Sequence, residues 1–348
     1  MIQPDSLDTQ APSGLRTSPA GGGSRIALSV FGVAALAVGL IAPPLLLSEF
    51  SLKLANEGLI LGIVALSVAF LMDQTGLVSL GAASVYGGAG YLFSLLLSEL
   101  DFSPVSAALA SLAIVIAYSA ILGSLIVRTN AIAFMMLTLA AGEMISHSVM
   151  LEALRDLTSG ADGLAVRFRG LFLGMTSADL QTPAKFWPIA WGATWIVGLA
   201  LFFVRTSRLG AILRAIRENE ERMRFSGFNT YVPRLAAFVL VNIVAAIGGL
   251  LHVLNSGFIS PESLGIGVST NALVSALIGG VAGSIGPIAG GFLFTLAQDE
   301  FGARGFTQLL TGVAIVVFIV FFPRGLSGSL FAFLSRIFVA PGGPKSGA

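Results

Sequence analysis

Apolar runs of about twenty residues recur along this chain, and that length constrains the fold more than any other feature. An α-helix rises about 1.5 Å per residue, so roughly twenty apolar residues cross a hydrocarbon layer about 30 Å thick. No water reaches that layer to satisfy backbone N–H and C=O groups, so segments that cross it must bond internally, as helices do. The runs predict spans over Ile26–Leu47, Leu52–Met72, Pro104–Val127, Ala131–Met150, Phe186–Val204, Leu235–Leu254 and Phe306–Phe322. A balance of 55% hydrophobic to 11% charged residues and a mean hydropathy of +0.90 place the chain far from a soluble domain. The expected fold is all-α, a polytopic transmembrane helical bundle with broken or re-entrant helices and about eight to ten membrane segments.

Residues 1–24 carry Pro, Ser, Thr and Gly and read as a disordered cytoplasmic tail. Residues 25–338 form one transmembrane domain, and 339–348 a flexible tail. The first apolar run is long enough to span and no A-x-A site follows it, which argues against a cleaved signal peptide. A net charge of +1 gives no reason to expect nucleic acid. With no Cys and only His147 and His252, neither disulfides nor a His- or thiolate-held metal is expected.

Two Gly-rich segments interrupt the helical pattern. One is Gly76–Leu97; the other lies in Thr270–Ala297, where GGVAGSIGPIAGG makes an uninterrupted helix improbable. Ser79-Leu80-Gly81 in the first is echoed by Ser284-Ile285-Gly286 in the second, as expected of a transporter with related halves. Parity points the same way. Placing the Arg16/Arg25 tail, Arg128, the Arg205–Arg234 run and Arg324 on one side, the cytoplasmic one, requires Thr270–Ala297 to cross zero or two times. A re-entrant pair of half-helices broken around Gly283–Pro287 does so, with both chain termini inside.

Arg205–Arg234 is the longest markedly polar run between two apolar segments, with seven Arg and Glu218, Glu220 and Glu221 among them. Leu209, Ile212, Leu213 and Ile216 recur at helical spacing, which predicts an amphipathic helix over Leu209–Arg224 with Gly227 as its stop. Arg217 and Glu221, four apart, are placed to pair along it. Two readings stand: a docking surface, or a basic loop touching lipid headgroups. Glu143 is read as the one carboxylate well inside an apolar span, facing either a cavity or a neighbouring helix. Thr138, Asn242, Ser284, Gly286 and Pro287 are the other candidates for a polar path. Trp187, Trp191 and Trp195 share a face, Trp187 in the interfacial belt and the deeper two as packing residues. The sequence contains no G-x-x-x-x-G-K-[ST], H-E-x-x-H or G-x-S-x-G motif, so ATP hydrolysis and common hydrolase chemistry are not expected of this chain.

Read together, several motifs resemble the permease family of branched-chain amino acid ABC importers, specifically the longer of its two paired permeases. They are TGLVSLG (Thr75–Gly81), LTLAAGEM (Leu137–Met144), TSGADGL (Thr158–Leu164), SRLGAILRAIRENE (Ser207–Glu220), SGFN (Ser226–Asn229), GFISPES (Gly257–Ser263), IGGVAGSIGPIAGG (Ile278–Gly291) and FFPRGLSG (Phe321–Gly328). The resemblance implies a non-enzymatic subunit of the bacterial inner membrane forming half of a pathway for branched-chain amino acids or a related small polar solute such as urea, an amide or an aromatic acid. It implies a second permease, two cytoplasmic ATPases that use ATP, and a periplasmic solute-binding protein as partners, with no cofactor bound here. Arg214, Arg217, Glu218, Glu221 and Gly227 would couple to an ATPase. The chain departs from the family pattern at Ala82, where a His is common, and at Arg222-Met223-Arg224. A stand-alone secondary transporter or channel is the alternative reading.

Overall fold

The computed structural model describes residues 38–166, 168, 170–302 and 312–313, and everything below concerns those residues. The predicted last span, most of the first, and both tails lie outside them. In chain order the main helices are α1 (Glu49–Thr75), α2 (Ala82–Ser98), α3 (Pro104–Ile126), α4 (Ala131–Val149), α5 (Pro183–Thr206), α6 (Arg208–Glu218), α7 (Glu220–Phe225), α8 (Tyr231–Ser256), α9 (Ile266–Gly279) and α10 (Ile285–Gly302). Among them α1, α3, α4, α5 and α8 are long and apolar enough to cross a bilayer. The chain is an all-α, multi-pass membrane protein.

Helix α1 is apolar on every side, and a helix of that kind belongs in an interior. It packs against α5, α8, α9 and α10 and is largely buried, as α8 is, while α3, α4 and α5 keep much of their surface on the outside of the subunit. The contact with α10 is close because both helices present glycine: a methyl group on Gly291 would come within 2.5 Å of the Gly62 backbone. Small residues that let backbones touch are the usual means of holding helices together without a hydrophobic driving force.

Both Gly-rich segments are breaks. After α1 the chain leaves the helix at Gly76 (φ 73°) and re-enters at Ala82. Side-chain hydroxyls satisfy freed backbone there: Thr75 accepts from Leu77 N–H at 3.2 Å, Thr138 from Leu80 N–H at 3.2 Å, and Ser269 from Ala83 N–H at 2.8 Å. The second break separates the 14-residue α9 from the 18-residue α10. Ser284 donates across it to the Gly198 carbonyl at 3.4 Å, well inside α5. Pro287 is the third residue of α10, where a missing N–H costs nothing. The two S-x-G echoes thus open comparable helices after comparable breaks.

On the face away from α6, a long connection between α4 and α5 is tied down by a two-residue antiparallel pairing of β1 (Leu164–Ala165) with β2 (Phe258–Ile259). It ends in a capping box on Thr176. Lys185 and Thr176 hold the Asp179 carboxyl down at about 2. The tryptophans correct an expectation. Trp187 is buried, its indole N–H donating to the Gly39 carbonyl at 2.9 Å, and it stacks on Trp191.

Candidate coupling foot and translocation face

The polar run folds into a foot below α5, and it is two helices rather than one. Asn219 adopts an extended conformation (φ −159°, ψ 97°) and its side chain caps α7 by accepting from Arg222 N–H at 2.8 Å. The expected single helix over Leu209–Arg224 is therefore broken, because Asn followed by Glu220 and Glu221 is itself a helix start.

In α6 the predicted stripe is real. Leu213 and Ile216 are buried against the membrane helices, a burial worth about 1.5–3 kcal/mol for each side chain. Arg214 also turns inward. Its guanidinium donates to Gln74 Oε1 at 3.1 Å and to the Arg205 carbonyl at 2.8 Å, satisfying a group left open at the end of α5. Arg217 does not pair with Glu221, from which the break at Asn219 separates it. It donates to the Asp73 carbonyl and lies 3.8 Å from the Asp73 carboxylate, which Arg205 approaches to 3.1 Å. Arg214 and Arg217 therefore grip the end of α1, Arg217 with about half of its side chain still exposed.

Helix α7 has no buried residue. A second ion cluster holds it: Glu220 pairs with Arg224 and with Arg234 at the start of α8, each at 2.7 Å, and accepts from Thr230 at 3.3 Å. What α7 presents outward is Glu221, Arg222 and Phe225, the last 91% exposed; Glu218, at the end of α6, is exposed as well. Gly227 follows with φ +81°, and Phe228 N–H bonds back to the Met223 carbonyl at 3.1 Å, so the chain reverses into α8 as a glycine at this position permits. Beside the foot, Arg128 lies over the Tyr231 ring at 4.6 Å.

The path candidates do not form one cluster. Thr138 and Asn242 line a narrow crevice with Ser79, Ser84 and Tyr118, between α2, α3, α4 and α8. Asn242 also bridges helices, donating to Ser119 Oγ at 3.0 Å. Ser284, Gly286 and Pro287 sit apart, at the break before α10, where Gly279 packs on the Gly286 carbonyl. Glu143 faces outward from this subunit, its side chain 40% exposed and 3.7 Å from His147 on the same helix. A second carboxylate, Glu57, also lies within an apolar helix, toward the start of α1. The outer face of α3 is aliphatic, with Leu109, Ile121 and Leu125 exposed, whereas that of α4 mixes Ile132, Met136 and Met144 with the Glu143–His147 pair.

Asp73, Glu220 and Phe225 were not among the sequence-derived candidates. Asp73 and its arginines are separated by more than a hundred residues. The signal for Phe225 is an aromatic side chain beside a turn glycine in a charged run.

Comparison with known proteins bears on the whole domain. The family described as branched-chain amino acid transport system / permease component matches residues 50–322. The high-affinity branched-chain amino acid transport system permease protein LivM of Escherichia coli (strain K12) is 25% identical over 334 residues, covering 88% of this chain and 77% of that protein. LivH of Salmonella typhimurium, a second permease protein of that kind of system, is 25% identical over 191 residues, covering 53% of this chain and 62% of the relative. The autoinducer 2 import system permease protein LsrC of Yersinia pseudotuberculosis is 30% identical over 160 residues, covering 41% and 44%.

Proposed function

The chain belongs to the family of permease components of branched-chain amino acid transport systems, and from that premise we propose how this subunit of an ABC importer works. It forms half of a membrane pathway with a second permease. Two cytoplasmic ATPases supply the energy from ATP, and a solute-binding protein delivers the cargo. The cargo is a branched-chain amino acid or a related small polar solute. The foot lies on the cytoplasmic side together with Arg128, as the bias of basic residues favours, and both termini lie on that side of the bacterial inner membrane.

The observation that carries this reading is the division within the foot. Helix α6 buries its apolar stripe and turns Arg214 and Arg217 onto the end of α1, while α7 offers an almost fully exposed Phe beside free charges. Phe225, Phe228 and Val232 are all exposed along this polar stretch, more apolar surface than a lone side chain among charges and of the kind a docking partner covers. A subunit without a phosphate-binding loop of its own must receive ATP-driven motion through such contact. In α4, a carboxylate and an imidazole on an otherwise apolar outer face do not belong against lipid. That face lines the pathway or its seam with the second permease, whereas the aliphatic face of α3 meets lipid.

Replacing residues 208–225 with a Gly/Ser linker tests the reading. The ATPases should fail to co-purify and uptake should vanish. Normal ATPase capture and uptake with the linker would overturn it.

A further inference from the structure

We infer that Asp73 is a positioning residue that ties the foot to α1, so that motion of the foot is delivered to the broken helix pair α9–α10. This deepens the reading above, because it rests on the foot being the ATPase contact.

Asp73 occupies the last turn of α1, and an anion there opposes the helix macrodipole. Locally only Gln74, whose side-chain amide donates to the carboxylate at 2.7 Å, favours an anion there. Its charged partners come from two other elements: Arg205 from the end of α5 at 3.1 Å, and Arg217 from α6, which meets both its carboxylate and its backbone carbonyl. The side chain is 16% exposed, so water screens these charges only partly. The neighbouring residues repeat the grip. Gln74 is fully buried and accepts from Arg214, and the Arg217 stem packs at the Gly76 turn. The far side of α1 has no slack either. Gly58 and Gly62 meet α10 almost backbone to backbone at Phe292, Ile288 and Gly291. Helix α1 is thus a 27-residue rod held at its end by the foot and along its length by α10. A load on α6 reaches α1 through Asp73, and α10 must follow.

The two arginines differ in what they report. Arg205 stays with the membrane helices and neutralises Asp73 whatever the foot does. Arg217 belongs to the foot, its side chain half exposed and its carboxylate contact longer at 3.8 Å. Among the contacts that grip α1, the Arg217–Asp73 carboxylate contact is therefore the one between foot and rod that a change of the Asp73 side chain alters, the bond to its backbone carbonyl remaining.

The test uses the assembled transporter in proteoliposomes, with uptake and ATP hydrolysis both measured per assembled complex. Asp73→Asn should retain the ATPases and keep hydrolysing ATP, while uptake per ATP falls about tenfold or more. Asp73→Glu should recover most of that loss. A purely structural anchor would lower assembly and both activities together. An unchanged uptake-to-hydrolysis ratio therefore overturns the inference. If Asp73→Asn does not assemble, Arg217→Gln decides, since it leaves Asp73 with Arg205; an unchanged ratio there is equally fatal. The Gly/Ser replacement of the foot separates the two claims. ATPases retained by the linker variant would sink the coupling reading itself, whereas ATPases lost there together with a normal ratio in Asp73→Asn would remove only the role of Asp73.

Discussion

The two helices of the foot adjoin in sequence, carry four charged residues each, and do opposite things. Helix α6 is held to the membrane domain by Leu213, Ile216, Arg214 and Arg217. Helix α7 buries nothing and stays in place through Glu220, shared between Arg224 and Arg234. The difference shows that polarity alone does not identify a docking element. The polar run divides into a part that buries its apolar stripe and turns Arg214 and Arg217 onto α1, with Arg208 and Glu218 left exposed, and a part that buries nothing and leaves Glu221, Arg222 and Phe225 open to a partner.

Substitutions that collapse this contrast should rank by which half they strike. Leu213→Ala should cost the most, about 2–5 kcal/mol as expected for a buried leucine in a well-packed site. It should appear as a lowered unfolding temperature of the isolated permease in detergent, before any partner is added. Phe225→Ala should leave that temperature unchanged yet weaken ATPase capture by about 2 kcal/mol, the scale of an aromatic anchor in an interface. Gly227→Val should cost about 1 kcal/mol through its positive φ. Since an added Cβ there meets nothing within 4 Å, Gly227→Ala should cost nearly as much, which unfolding of the two variants side by side would show. Reversing Glu218 and Glu221 together should have the smallest effect, below about 1 kcal/mol in ATPase affinity and fading as salt is raised.

The sequence made the spans legible because a bilayer enforces helix length, and α1, α3, α4, α5 and α8 lie where the apolar runs put them. Both breaks were legible from glycine density, and so was the turn at Gly227. The stripe of α6 was readable from period alone. The break at Asn219 was available in principle, as an Asn followed by acidic residues, but the charges on either side read as one continuous helix. The destinations of the arginines were not legible. An Arg–Glu pair four apart looks local, yet Arg217 turns to Asp73 on another helix, and only the fold puts them together. Glu57 stands in a predicted span as Glu143 does, but close to its start. Charge placed near a helix end invites dismissal as interfacial.

The chain contains no cysteine, so a single thiol introduced as Phe225→Cys reports its own surroundings. With the permease in inside-out vesicles, a membrane-impermeant maleimide should label that thiol readily when the ATPases have been stripped away, and poorly once they are added back. Equal labelling with and without the ATPases would contradict the account, and so would labelling only from the outer face.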